Sequence, residues 1–489
     1  MSKQNFNEFV KKNLDLVGAL DGFKAYTGPK IVQIDLTNNC NLNCVGCWCH
    51  SDLLGNLKLK GEEKKRKLPY EIVKKLIEDL HEMGIKEIML SGSGEPFMYP
   101  KIMDVMRLIK KKRMKCQIIT NFTLVNEKII RELVDLKVDN ITVSLWAGTH
   151  ETYVKTHPNQ TEETFHRIKR MLQYLHSIKK EDNLPHVKIF NVISNRNYYE
   201  IEDMLNFALD SLVDYLEFQV IDVVKGKTDS LALSEKERES IIKQLNGLSK
   251  RKDYLEVPMS KSLEILDKKM HKMEFAEFGR FVKVKSLVNG FNYFLEDITC
   301  YRVKCPKGKF HIKVIEDNIV ESALKFVYLK KVCKKCDYHD RCNIDKGRYL
   351  VKAEFLSLIG FGSFYRRVSN ESVSQGVYDS SVDLIPCYVG WIYARILTDG
   401  SVIPCCKAHL FPLGNLYKNS FKDIWFSKKY NEFREKAKKL KKSNPYFKRI
   451  ECYKECDNLG MNLELHKRIK DLSFFQKKRI LFETKRDLT

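Results

Sequence analysis

Residues 31–47 decide the fold of this chain. The β-branched run Ile31-Val32-Gln33-Ile34-Asp35-Leu36 passes into Thr37-Asn38-Asn39-Cys40-Asn41-Leu42-Asn43-Cys44-Val45-Gly46-Cys47. It reads as a strand followed by a loop with cysteines spaced C-x3-C-x2-C. Thiolates hold iron in [4Fe–4S] clusters, and four of them saturate a cluster. Three set this close leave one iron open to a small ligand. A zinc site with a distant fourth ligand is the alternative, for which this spacing is unusual.

Working outward, short β-branched runs continue at Glu87–Leu90, Gln117–Thr120, Asn140–Leu145, Val187–Ile193 and Tyr215–Ile221. Segments with helical spacing separate them: Tyr70–Met83, Ile102–Lys112, Glu127–Leu136, Thr164–Ile178 and Tyr199–Leu209. Strand and helix in alternation predict a parallel sheet with right-handed crossovers. Periodicity alone fits both a six-stranded open barrel and a flat doubly wound sheet. Gly55–Leu68 is lysine-rich and reads as a surface loop, and residues 225–298 read as a helical connecting region.

The chain has 489 residues, which predicts two to four domains. No apolar run of about 18 residues is present, so no transmembrane helix is expected. The start, Met1-Ser2-Lys3-Gln4-Asn5, lacks a secretory apolar block. A cytoplasmic location is expected. Fifteen cysteines in such a chain point to metal or clusters rather than disulfides. Only Cys116 stands alone, as a buried structural thiol in an apolar stretch. The net charge of +23 fits either solvated helix faces or an anionic partner. Its basic residues lack interleaved aromatic platforms, so nucleic acid is possible but not favoured. The basic tail from Asn462 to Thr489 reads as a helix docked on the body or lying on a membrane surface.

Further motifs follow the other strands: Ser91-Gly92-Ser93-Gly94-Glu95-Pro96, Thr120-Asn121-Phe122-Thr123 and Val143-Ser144-Leu145-Trp146-Ala147-Gly148. With the cysteine loop, they resemble the radical S-adenosylmethionine (SAM) superfamily. That resemblance implies a partial (β/α)6 TIM-like barrel. It also implies a [4Fe–4S] cluster on Cys40, Cys44 and Cys47, with SAM on the open iron. Ser93, Gly94, Glu95, Asn121, Ser144 and Asn191 would then bind the cofactor, with Asn197 or plain turn polarity as a further option. The small residues would let the backbone approach the ligand's amino group, which Glu95 would accept from. Two departures stand out. Gly46 occupies the place of an aromatic that covers the adenine, with Trp48 as a substitute, and Trp146 replaces an aspartate. Cys49 and His50 read as supporting residues outside the triplet.

A second group of cysteines lies near the C-terminus: Cys387, Cys405 (with Cys406 as alternate), Cys452 and Cys456. Together with Asp399-Gly400 and Phe421-Lys422-Asp423-Ile424-Trp425, they resemble the auxiliary-cluster domain of the SPASM/twitch subfamily, which implies a second [4Fe–4S] cluster. An earlier stretch mirrors this one at a constant offset of 82 residues, Cys305-Pro306-Lys307-Gly308 matching Cys387-Tyr388-Val389-Gly390. It offers Cys305, Cys333, Cys336 and Cys342, with Cys300 in reserve, for a further cluster or a zinc knuckle.

The expected organisation is an N-terminal segment (1–30), the radical SAM core (31–224), the connecting region (225–298), a first cysteine-rich lobe (299–345), a connector (346–385), the auxiliary-cluster domain (386–460) and a basic C-terminal helix (461–489). The small α+β lobes would follow the barrel. The resemblance implies reductive cleavage of SAM to a 5′-deoxyadenosyl radical that abstracts a substrate hydrogen. Auxiliary clusters would aid oxidation or modification of a peptide or small molecule. No leader-binding domain is recognisable before residue 31, which tilts the expectation away from small peptides. A one-electron donor such as flavodoxin or ferredoxin is implied. Methyl or sulfur transfer on RNA or lipid is the rival reading. No acid/base residue announces itself.

Overall fold

The computed structural model describes residues 3–180, 183–248, 385–442, 444–450 and 458–487, together with Cys452, Cys456 and five strands between 273 and 314. Six parallel strands come first: β1 (Ile31–Ile34), β2 (Glu87–Leu90), β3 (Lys115–Thr120), β4 (Asn140–Ser144), β5 (His186–Ile193) and β6 (Tyr215–Val220). They pair in chain order, with Ile34 opposite Leu90 and Ile118 opposite Ile141. The helices Tyr70–Glu82, Ile102–Lys111, Glu127–Asp135, Glu162–Ile178 and Ile201–Asp210 return the chain between strands. This is a partial (β/α)6 TIM-like barrel. Each helix meets the sheet through one apolar stripe. In Tyr70–Glu82 the buried residues Val73, Leu76, Ile77 and Leu80 recur at helical spacing.

Two sequence expectations need correction. Residues 225–298 are not purely helical. One helix (Glu235–Leu248) is followed by an antiparallel meander of β7 (Met273–Phe278), β8 (Phe281–Ser286) and β9 (Asn292–Leu295). The strand signal is Val282 and Val284 alternating with Lys283 and Lys285, after a Gly279-Arg280 pair of the kind two-residue hairpins favour. Gly55–Leu68 is not merely a loop either. It holds the helix Gly61–Lys65 and the end of a 3-10 turn (Asp52–Leu57), and it buries Leu68. Lys67 bridges back to Thr37.

A hairpin follows, β10 (Tyr301–Lys304) with β11 (His311–Val314). Cys300, Cys305, Cys333, Cys336 and Cys342 lie outside the described residues. The C-terminal region resumes with β12 (Tyr393–Ile396), β13 (Ser401–Ile403) and β14 (Gly414–Asn415). Shifting β11 by the repeat offset of 82 lands on β12, so one strand of each copy coincides. The β12–β13 connection turns at Gly400, whose φ of 78° is one that side chains disfavour.

The expected separate lobe is joined to the barrel. β12 pairs in parallel with β1, Ile34 opposite Ile396, and extends the sheet to nine strands in the order β14-β13-β12-β1-β2-β3-β4-β5-β6. The termini close the same side. Trp391 Nε1 donates to Lys24 O, and Trp425 Nε1 donates to Thr27 O. The tail forms two helices, Leu459–Lys470 and Phe474–Asp487. Arg468 clamps Asp15 with bonds of 2.6 and 2.9 Å, and Arg479 lies over the Phe6 ring. The tail is therefore docked on the body. Among the described residues no helix is long and apolar enough to cross a membrane.

Candidate functional site

The carboxyl ends of parallel strands are where open α/β sheets and barrels gather ligands. Here the end of β1 carries the loop Thr37–Cys47. Cys40, Cys44 and Cys47 are partly buried and free of disulfides. Backbone N–H groups aim at the sulfurs: Leu42 N donates to Cys40 Sγ at 3.4 Å, and Cys49 N and His50 N donate to Cys47 Sγ at 3.4 and 3.3 Å. Burial pushes the Cys40 thiol up to about 11. It also raises Cys44, which Cys47 and Cys40 raise further by repulsion. Three such thiols cannot all ionise without a cationic group between them, while the N–H donors are placed for sulfur that carries negative charge. The donor set fits an iron–sulfur cluster.

The loop is held from two sides. From below, Glu95 N donates to Asn39 O at 2.9 Å. A Cβ on Gly94 would fall 2.4 Å from Asn39 O, so this glycine serves the packing of β2's end on the cysteine loop. Asn121 Nδ2 donates to Asn41 Oδ1 at 3.0 Å and reaches Cys40 Sγ at 4.0 Å. From the side, the corner between two helices clasps it. Val45 N donates to Thr156 O, and Asn159 Nδ2 donates to Asn41 O.

Glu95 is buried, and its carboxylate is engaged by protein. It accepts from Thr120 Oγ1 at 2.6 Å, Asn121 N at 2.7 Å and Phe97 N at 3.1 Å. Burial pushes its pKa up to about 7, against the pull of those bonds. Asn191 differs. It lies on the buried register of β5 with Val187, Ile189 and Ile193, and neither its amide nitrogen nor its oxygen has a protein partner. A fully buried amide without a protein partner has its bonding capacity open to a bound molecule. Asn197, by contrast, is satisfied by protein, donating to Val192 O in its own turn and to Trp146 O after β4. Ser144 ends β4, in register with Phe190. Ser93 O meets His50 Nε2 at 2.7 Å, while His50 Nδ1 is buried without a protein partner.

The two departures from the motif fit each other. A Cβ on Gly46 would lie 2.6 Å from Ile221 Cδ1 and 3.1 Å from the Trp146 ring. The Trp146 indole thus fills the space that an aromatic at 46 would take. Trp146 adopts a left-handed backbone, φ 60°, and its Nε1 is buried without a protein partner. Trp48 points elsewhere, donating from Nε1 to Asp222 O, with Lys407 over its ring. Cys116 is fully buried in β3, its thiol pushed up to about 12 by burial.

The second thiol group belongs to the segments that flank β12 and β13, the strands added next to β1. The Cys405 thiol is raised by burial and by Cys452, Cys406, Cys387 and Cys456, so these sulfurs converge. Cys452 is likewise raised, by burial and by Cys387 and Cys456. Cys406 turns toward the barrel, where Tyr393 Oη meets its Sγ at 3.1 Å and donates to Gln33 at 2.6 Å. Support comes from the helix Lys428–Lys439. Its Arg434 donates to Gly390 O and Trp425 O and lies between the Trp425 and Tyr430 rings.

Sequence reading missed Asp35 and Arg395, which bind β1 to β12. Arg395 Nε and Nη2 donate to the two Asp35 oxygens at 2.9 and 2.7 Å, and both side chains are buried. Burial opposes the charge on Arg395, but Asp35 more than offsets this and holds its pKa above the ordinary value. The available signal was a lone acid and a lone base inside two apolar strands.

Residues 34–208 match the family described as the Radical SAM superfamily, and residues 387–457 match SPASM, described as an iron-sulfur cluster-binding domain. A tungsten-containing aldehyde ferredoxin oxidoreductase cofactor-modifying protein of Pyrococcus furiosus is 26% identical over 187 residues, covering 38% of this chain and 49% of that protein. A GTP 3′,8-cyclase of Clostridium perfringens is 27% identical over 203 residues, covering 40% and 57%. The chain thus spans about half the length of the curated relatives it matches. The crystal structure of Streptococcus suis SuiB is similar at 13% identity, with a TM-score of 0.47 and coverage of 83% of this chain and 68% of that one.

Proposed function

We propose, on the premise that this chain belongs to the radical SAM superfamily and carries a SPASM domain, that it is an oxidoreductase or maturase acting on a peptide or small molecule. A radical SAM domain binds a [4Fe–4S] cluster and SAM, and a SPASM domain binds auxiliary iron–sulfur clusters. When bound, these groups supply a one-electron cleavage of SAM that yields a 5′-deoxyadenosyl radical able to take a substrate hydrogen. Everything else falls to the chain. Cys40, Cys44 and Cys47 hold three corners of the first cluster. Asn191, Ser144, Asn121 and the Ser93–Glu95 turn surround SAM, with Trp146 against the cysteine loop. Glu95 acts by holding Thr120 and Asn121 N in place. Cys387, Cys405, Cys452 and Cys456 hold the auxiliary cluster. The partial burial of both thiol groups limits the access of water to them.

The observation that carries this reading is that three free thiols and an unpartnered buried amide, Asn191, both stand toward the carboxyl ends of strands of one sheet. Curated relatives are named for GTP cyclisation, cofactor modification and haem synthesis. They match 40%, 38% and 43% of this chain, so the substrate stays at the level of class. Anaerobically purified protein, reduced by dithionite or by a flavodoxin or ferredoxin, is expected to convert SAM to 5′-deoxyadenosine and methionine. Formation of S-adenosylhomocysteine would favour methyl transfer instead. An intact cluster without SAM cleavage would overturn the proposal.

A further inference from the structure

We propose that His150, Glu162 and His166 form a site for a zinc-class divalent ion, on the outer side of the corner that clasps the cysteine loop. One ligand atom from each lies within 4.8 Å of the others. His166 Nε2 is 3.3 Å from Glu162 Oε1, and His150 Nε2 is 3.6 Å from that same oxygen. A tetrahedral shell with bonds of about 2.0–2.1 Å places its donor atoms about 3.3–3.4 Å apart. The side chains are therefore spaced for chelation with small rotations. Glu151 Oε1, 3.3 Å from His150 Nε2, or water would complete the shell.

Local structure explains why these residues meet. His150 opens the helix His150–Thr156, and Glu162 opens the helix Glu162–Ile178, with His166 one turn further on the same face. Two imidazoles with a carboxylate favour zinc and its neighbours over magnesium or calcium, which take oxygen shells. The helix starts carry partial positive charge that opposes a cation, and the carboxylates of Glu151 and Glu162 offset it. All three ligands are partly exposed, so an ion reaches them from solvent.

The consequence is mechanical. Residues 150 and 162 begin the two helices of the corner whose Thr156 carbonyl and Asn159 amide hold the cysteine loop. An ion joining them would fasten that corner from outside. The site does not depend on the radical reading, and the test keeps the two apart.

Cluster-loaded full-length protein is titrated anaerobically with zinc chloride and measured by calorimetry and zinc-edge X-ray absorption. The expected result is one bound zinc with a nitrogen/oxygen shell and imidazole scattering. The double variant His150→Ala/His166→Ala should lose at least about 100-fold in affinity, with iron content and circular dichroism unchanged. Hydrogen exchange across 149–161 should slow at least about threefold on zinc addition in the wild type only. A sulfur shell, or unchanged zinc affinity in the double variant, overturns the proposal. Should that variant lose iron, His166→Gln alone decides by the same affinity measurement.

Discussion

The two thiol groups stand on neighbouring strands of one sheet yet are built in opposite ways. Cys40, Cys44 and Cys47 come from one loop at the end of β1, and their spacing is local. Cys387, Cys405, Cys452 and Cys456 come from separate segments brought together by the β12–β13 hairpin and the helices after it. Three ligands leave a cluster corner free for a substrate-like molecule, whereas four close it. On the proposed function, the first group would serve chemistry at iron and the second would hold or pass an electron. The polar groups differ too. Around the first, Asn191, Trp146 and His50 have atoms without protein partners, while around the second Arg434 is satisfied on several sides and, among the described residues, the Tyr430 hydroxyl alone lacks a protein partner.

The largest effect should come from breaking each group in turn. Cys44→Ala is expected to lower 5′-deoxyadenosine formation at least about 1000-fold and to remove about four irons per chain. Cys405→Ser should also remove about four irons, yet lower SAM cleavage less than about tenfold while stopping substrate turnover. Equal loss of SAM cleavage in both variants would erase the distinction.

Next comes the joint between the regions. Asp35→Ala leaves Arg395 charged, buried and unpaired, and should cost about 3–5 kcal/mol in anaerobic denaturant unfolding. Asp35→Leu with Arg395→Met should recover most of that stability. A double variant as weak as the single one would mean that the pair is not what joins β1 to β12.

Acid should weaken the first region through His157. This residue is buried, its Nδ1 is 3.1 Å from Tyr153 O, and burial lowers its pKa to about 4. The unfolded chain gains the proton at about 6.5, the folded chain only near 4, so stability is full above pH 6.5 and falls on acidification. The slope should approach about 1.4 kcal/mol per pH unit over that window. His157→Phe should flatten it in stability measured against pH.

The smallest effect concerns the exchanged aromatic. Trp146→Ala should weaken SAM binding about tenfold in equilibrium dialysis, and adding Gly46→Phe should restore most of it. Additive losses would show that the two positions are not coupled.

Much of this was legible because it is local. Strand and helix alternate with their own periods from Ile31 to Val220, and the structure moves the expected boundaries by only a few residues. The cysteine triplet announced its loop, and Asp399-Gly400 its hairpin. What escaped is non-local. Nothing near Ile31 shows that Tyr393 will be its neighbour, or that Asp35 will face Arg395. Trp146 was read as a departure from an aspartate, when its meaning lies in the missing side chain of Gly46. Asn191 reads from the sequence as a cofactor residue or an ordinary turn amide, and its burial without a protein partner sets it apart from Asn197. The meander of β7–β9 was legible in Val282 and Val284 but was outweighed by the charge of its surroundings.

The pairing of β12 with β1 has a consequence for how the chain comes to be. Until the C-terminal segment is synthesised, β1 is the outermost strand of the nascent barrel, with a row of unanswered backbone amides and carbonyls. Such an edge recruits strands from other molecules. A contact spanning some 360 residues closes late, after ribosomal release of nearly the whole chain. A truncation ending before residue 385 is therefore a recipe for edge-to-edge aggregation rather than for a minimal barrel.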